Sequence, residues 1–303
     1  MTEASEDTRT LPLGGEVVAT LLRRRPATNT RGAILYVHGF ADYFFQDHVA
    51  DHFTAQGYDF YAIDLRGYGR SLRDGTPPNY VTDMSVYFEE LDAAVKAIRQ
   101  DDGHEHLVVL GHSTGGLTTS LWAHARRADK LIDALVLNSP WFDVPEPPPI
   151  RRLVRFLGRV APKLVIRPGL GDVYGKSIHS DHKGEWAFDL TMKPLAGFPV
   201  LAGWIRAILI AQQRLQQGLD VPVPVLVLHS DRSMITEKEW SEDVMKVDAV
   251  LEVEHMKKWA PGIGKDVTVV EVPGGLHDLF LSPEAVRTRA FDEVDKFLAE
   301  KTA

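Results

Sequence analysis

The sequence predicts an α/β protein, a mostly parallel sheet flanked by helices, with a mainly helical segment inserted late in the chain. Three observations lead there. Short apolar runs alternate with stretches whose apolar residues recur at helical spacing, the pattern of strands joined by crossover helices. That alternation stops near residue 139 and resumes near residue 224. Between an apolar run at 107–110 and a helical pattern at Leu117, Leu121, Trp122 and Ala125 stands one sharp turn, Gly111-His112-Ser113-Thr114-Gly115.

The first ten residues are expected to form a tail, since termini without an apolar pattern are seldom tied down. Residues 16–22 and 33–37 have strand character and are joined through a turn-rich stretch at 26–30. The second run leads into His38-Gly39-Phe40. A helical pattern at 45–55 ends at Gly57, and a strand at 60–64 leads into Asp64-Leu65-Arg66-Gly67-Tyr68-Gly69-Arg70-Ser71. Val86, Leu91, Ala94, Val95 and Ile98 predict a helix within 83–99. Residues 134–138 predict the strand after the central turn.

The insertion carries Pro145-Glu146-Pro147-Pro148-Pro149, then a basic helical piece at 150–160. An aromatic stretch at 184–189 and an amphipathic helix at 204–217 follow. The expected organisation is therefore a core over 1–140, a cap over 141–220 and the rest of the core over 221–303. Strands at 224–229 and 267–272 and a helix at 283–298 complete the second part.

Composition excludes several classes. The 303 residues are 44% hydrophobic and 25% charged, ordinary for a globular chain with ample core. The net charge is −8 and no basic block exceeds Arg23-Arg24-Arg25, which argues against nucleic acid. There is no cysteine, so disulfides and thiolate chemistry are excluded. Metal-ligand spacing and a dinucleotide fingerprint are missing, so no metal and no cofactor are expected. The acidic N-terminal residues lack the features of a signal peptide, and no apolar run reaches bilayer-spanning length. A cytoplasmic chain without an integral membrane segment is the expectation. The sequence leaves the oligomeric state open.

The 111–115 turn carries the chemistry. A serine at the apex of a strand–turn–helix junction sits in strained backbone, and glycines two before and two after it keep side chains out of the crowded positions. The helix behind it points free N–H groups and a positive dipole end toward any charge developing at the serine. Ser113 is the candidate nucleophile.

With these motifs in order, the chain resembles the α/β-hydrolase family, and within it the monoacylglycerol lipase and lysophospholipase-like branch of serine hydrolases. The resemblance rests on His38-Gly39-Phe40, Asp64 to Ser71, Gly111 to Gly115 and Gly274-Gly275-Leu276-His277-Asp278. It covers nearly the whole chain, with the cap matched loosely. The resemblance implies a Ser, Asp, His triad in that order. His277, in a loop between the last strand and the closing helix, is the implied base. His38 and His112 are expected to pack beside the turn.

For the acid, Asp248 lies 29 positions before His277, the interval related lipases use for a helix and a last strand. Asp231 is the alternative at the strand end, with a turn or cap role as its plainer reading. In the first case, residues 232–247 form an insertion. Asp278 is expected to cap or position the histidine loop. The backbone N–H groups of Phe40 and Thr114 are the implied oxyanion donors.

The implied activity is hydrolysis of carboxylic esters, such as monoacylglycerol, lysophospholipid or similar medium-chain esters, through an acyl-enzyme. Trp141, Phe142, Phe156, Trp186, Phe188, Phe198, Trp204, Ile205 and Ile208 offer an apolar acyl pocket, although more than half are expected simply to pack the cap. Arg151, Arg152, Arg155 and Arg159 suit either a solvated face, the plainer reading, or transient contact with a lipid surface. A peptidase or thioesterase on the same triad, or a non-catalytic binding protein retaining the fold, are the alternatives. A haloalkane dehalogenase would need a carboxylate in place of Ser113.

Overall fold

The computed structural model describes residues 6–27, 30–235 and 239–302. Ten strands and eight α-helices are described: β1 (Glu6–Pro12), β2 (Val18–Arg24), β3 (Gly32–Val37), α1 (Asp47–Ala55), β4 (Tyr58–Asp64), α2 (Phe88–Lys96), β5 (Leu107–His112), α3 (Thr114–Ala125), β6 (Ala134–Asn138), α4 (Pro148–Val160), β7 (Val165–Arg167), α5 (Val173–Ile178), β8 (Val200–Leu201), α6 (Ala202–Gln216), β9 (Val225–Ser230), α7 (Val253–Trp259), β10 (Val267–Val272) and α8 (Glu284–Lys301).

Eight strands form one sheet in the order β1-β2-β4-β3-β5-β6-β9-β10. The pairs β1/β2 and β2/β4 are antiparallel, and from β4 to β10 every pair is parallel. Parallel strands need both faces covered, which explains why β3, β5, β6 and β9 are wholly buried and read as continuous apolar runs. One face carries α1 and α8, with Val49, Phe53, Phe291 and Val294 in the shared core. The other carries α2, α3 and α6, through Leu91, Leu117, Trp122, Trp204 and Ile208.

Two expectations change. The tail expected over 1–10 is a strand from Glu6 onward, paired residue for residue with β2. Its polar residues disguise it: Arg9 bonds Asp102 at 2.6 Å, and Leu11 packs against the core, so the inward residues are half ionic and half apolar. Residues 1–5 lie outside the described residues. The helix expected within 83–99 is composite, with a 3₁₀ turn at Met84–Tyr87, then α2, then a π turn at Ala97–Asp101. Asp83 caps its start by accepting from the Ser85 amide.

The excursion between β6 and β9 holds α4, α5, α6 and a two-stranded β7/β8 sheet. α4 and α6 pack on each other where Gly158 meets Ala202 and Arg206, with no room for a Cβ on the glycine. The excursion stands over the carboxyl ends of the parallel strands, where open α/β sheets place ligands.

Candidate active site

β5 runs directly into α3, and the junction is Ser113. Its backbone is at φ 55° and ψ −115°, outside the usual L-residue regions, and it is held there by close neighbours. The Ser113 amide donates to the Asn138 carbonyl at 3.0 Å, and the Ser113 carbonyl accepts from Trp141 N. A Cβ on Gly115 would overlap the carbonyl oxygens of Val37 and His38, and one on Gly111 would meet Thr119 Oγ1 at 2.5 Å. Helix and neighbouring strand can approach this closely only because both positions are glycine.

Ser113, His277 and Asp248 are brought together. His277 Nε2 lies 3.0 Å from Ser113 Oγ, and His277 Nδ1 lies 2.9 Å from Asp248 Oδ2. A carboxylate can only accept, so Nδ1 carries the proton and Nε2 presents its lone pair to the serine hydroxyl. Asp248 is fully buried, and its other oxygen accepts the amides of Val250 and Leu251, both at 2.8 Å. This Asx-type turn fixes the carboxylate, and α7 begins just after it, at Val253. Asp231 is elsewhere: it accepts the Gly274 amide at 2.8 Å and so anchors the start of the histidine loop. Asp278 has its expected structural part, capping the 3₁₀ turn at Leu279–Leu281.

Phe40 and Thr114 flank Ser113 from two elements. Thr114 is the first residue of α3, and a first-turn amide has no acceptor within its own helix. Phe40 follows Gly39, where an added Cβ would lie 3.0 Å from the Ser113 Cβ, so this loop presses against the serine. His38 is structural, with Nε2 accepting from Leu65 N at 3.1 Å and Nδ1 donating to the Gly39 carbonyl at 2.8 Å. Burial lowers its pKa and keeps it in that neutral form. The Asp64 motif secures the far end of the loop: its carboxylate accepts from Phe44 N at 3.1 Å and from the Arg70 backbone and guanidinium. The His112 ring packs at 4.9 Å from the His277 ring, and its nitrogens have no hydrogen-bond partner among the described residues.

Several residues escaped the sequence reading. Asn138, at the end of β6, donates to Asp278 at 2.7 Å and accepts from Leu279 N, tying the histidine loop to the sheet. Tyr174 of α5 sets its ring edge-on to His277 and its hydroxyl accepts from Asp278 N. Asp42 and Lys193 form a buried ion pair at 2.7 Å. Asn138 could have been suspected from its place at a strand's carboxyl end, and Lys193 as a lone cation in an aromatic stretch.

The serine opens on a cavity of about 530 Å³ whose lining is largely apolar, including Val154, Ile166, Leu170, Ile205 and Leu209. Of the aromatic and aliphatic residues expected there, Trp141, Phe188, Trp204 and Ile205 line it. Phe142 and Ile208 are instead in the core, Trp186 stacks on His48, and Phe156 faces outward. No group of metal-ligating side chains is present among the described residues. Among the same residues, no helix is long and apolar enough to cross a membrane.

A doubly wound sheet with a serine at the β5–α3 junction and a histidine after the last strand defines an α/β-hydrolase. The chain belongs to the family described as Serine aminopeptidase, S33, whose profile matches residues 28–284. It is 27% identical over 264 residues to a monoacylglycerol lipase of Mycolicibacterium smegmatis, covering 86% of this chain and 85% of that protein. Among solved structures, it is similar to a soluble variant of monoglyceride lipase from Saccharomyces cerevisiae in complex with a substrate analog (TM-score 0.74, 19% identity, 99% and 98% of the two chains). It is also similar to Paleococcus ferrophilus monoacylglycerol lipase (TM-score 0.69, 21% identity, 93% and 99% coverage).

Proposed function

We propose that this chain is a carboxylic ester hydrolase acting on monoacylglycerol-like or lysophospholipid-like esters with a medium-length apolar acyl chain. The carrying observation is the Ser113, His277, Asp248 series opening on an apolar cavity of about 530 Å³. Ser113 Oγ attacks the ester carbonyl carbon as its proton passes to His277 Nε2. Asp248 holds the ring and stabilises the imidazolium. The oxyanion accepts from the Phe40 and Thr114 amides, each such donor contributing about 3 kcal/mol in the transition state. Collapse expels the alcohol, which takes the proton from His277. A water then gives His277 a proton and attacks the acyl-enzyme, and the acid leaves as Ser113 regains its hydrogen.

In this reading, residues 141–220 are a cap on the core of 1–140 and 221–303, and the cap selects the acyl group. The face of α4 carrying Leu153 and Phe156 rests transiently on a lipid surface. A peptidase on the same residues is the second reading, favoured by the family's description. Binding a free α-amino group calls for an uncommitted carboxylate; Asp42 and Asp143 are paired with Lys193 and Arg151, whereas Glu146 and Glu252 also line the cavity. The preference for esters therefore rests on the largely apolar lining around Ser113.

A chain-length series of p-nitrophenyl esters, run beside matched thioesters and aminoacyl amides, tests this. We expect kcat/KM to peak above acetate, by about tenfold or more for each few methylenes buried. An optimum at acetate contradicts the acyl pocket, and a preference for the amides contradicts the ester reading.

A further inference from the structure

We infer that Asp42 and Lys193 are positioning residues that hold the oxyanion loop in register with the segment at 188–197. This rests on the reading of Phe40 as an oxyanion donor.

Asp42 follows Phe40 by two residues, through Ala41 at φ 49°, a left-handed conformation that an alanine does not adopt unaided. The contacts that hold it come from elsewhere. Lys193 Nζ bonds Asp42 Oδ1 at 2.7 Å, and both residues are buried at the cavity wall. Two residues of the same segment add to this: the Asp189 amide donates to Tyr43 Oη at 2.8 Å, and the Phe188 ring packs on Phe45 at 4.9 Å. Lys193 Nζ also stands 5.5 and 5.7 Å from the Phe45 and Phe188 ring centres. Segment 188–197 is thus fastened along the oxyanion loop from Asp42 to Phe45, and its ionic link reaches the residue beside the strained turn.

The other Asp42 oxygen faces His112 Nδ1 at 3.5 Å, longer than a good hydrogen bond. His112 immediately precedes Ser113. One buried carboxylate therefore touches the oxyanion loop, the strand before the nucleophile and the overlying segment. Burial alone would raise the Asp42 pKa, but Lys193 and His112 outweigh it and hold it well below the usual carboxylate range. Without Lys193, the buried carboxylate loses its main partner and either takes up a proton or turns toward another donor, and in both cases the loop loses its tie to segment 188–197. Phe40 N moves with it.

The test measures kcat and KM separately on a short soluble ester for Lys193→Met, Lys193→Arg and Lys193→Met with Asp42→Asn. In Lys193→Met, kcat is expected to fall about tenfold or more with KM within about twofold, because donor misplacement is felt in the transition state. The arginine variant and the double variant, which restores charge balance, are expected to recover most of the loss. Parental kcat in Lys193→Met, a change confined to KM, or a double variant as impaired as the single one overturns the inference. Should the methionine chain fail to fold, Lys193→Gln with and without Asp42→Asn gives the same comparison. A parent without esterase activity contradicts the proposed function instead, so the two failures are told apart.

Discussion

Asp248 makes three polar contacts with its side chain, two to backbone amides and one to His277, and none of its surface reaches solvent. Replacing it with asparagine puts an N–H₂ where an acceptor is required or forces the opposite histidine tautomer. Asp248→Asn is therefore expected to lower kcat by about 10³-fold or more. Asp231→Asn keeps an oxygen that can accept from Gly274 N, so its activity is expected to stay within about threefold of the parent. Steady-state kinetics on one p-nitrophenyl ester checks both, and the reverse order of effects contradicts the assignment of the acid. At this scale, the sequence exposes residues that local patterns mark: Ser113 by its flanking glycines, His277 by the glycine pair before it. Asp42 carries no such mark, and the lone cation Lys193 does not name its partner, because 151 positions separate the two and only the folded chain brings them together.

α4 shows how an element can be foreseen while its environment is not. Its proline start and helical spacing are visible in the sequence, and the helix forms at Pro148–Val160. Which face it buries depends on α6, and the outcome leaves Ile150, Leu153, Phe156 and Val160 exposed, Phe156 at 61%. Leu164 and Val165, just after the helix, are also exposed, and Arg152 and Arg159 are exposed on the helix itself. The proposed contact of α4 with a lipid surface rests on this strip. Leu153→Ser with Phe156→Ser, neither residue lining the cavity, is expected to cut binding to anionic phospholipid vesicles about tenfold or more. Turnover of a soluble butyrate ester should stay unchanged. Undiminished vesicle binding, read by cosedimentation, contradicts that role for α4. β1 gives the opposite lesson, since its half-ionic inner face hides a strand that pairing and the Arg9–Asp102 contact make plain.

Across the whole molecule, the parallel sheet does the gathering. β3 delivers Phe40, β5 delivers Ser113, the loop after β9 delivers Asp248, and β10 delivers His277, all at one end of adjoining strands. Residues 164 positions apart reach hydrogen-bond distance because strand order is not chain order. Alternating apolar runs make the sheet legible in the sequence, and the order of motifs points to the end of it that carries the candidate site. The seating of the 139–224 excursion is not, since short pieces such as α5 and the β7/β8 pair take their form from what they lie on. The proposed chemistry stands on Ser113, activated by His277, as the nucleophile. Peptide mass spectrometry after a fluorophosphonate treatment tests it most directly. A single covalent adduct on Ser113, absent after denaturation and strongly slowed in His277→Ala, is the expected result; a folded protein that stays unlabelled, or is labelled at another serine, contradicts it.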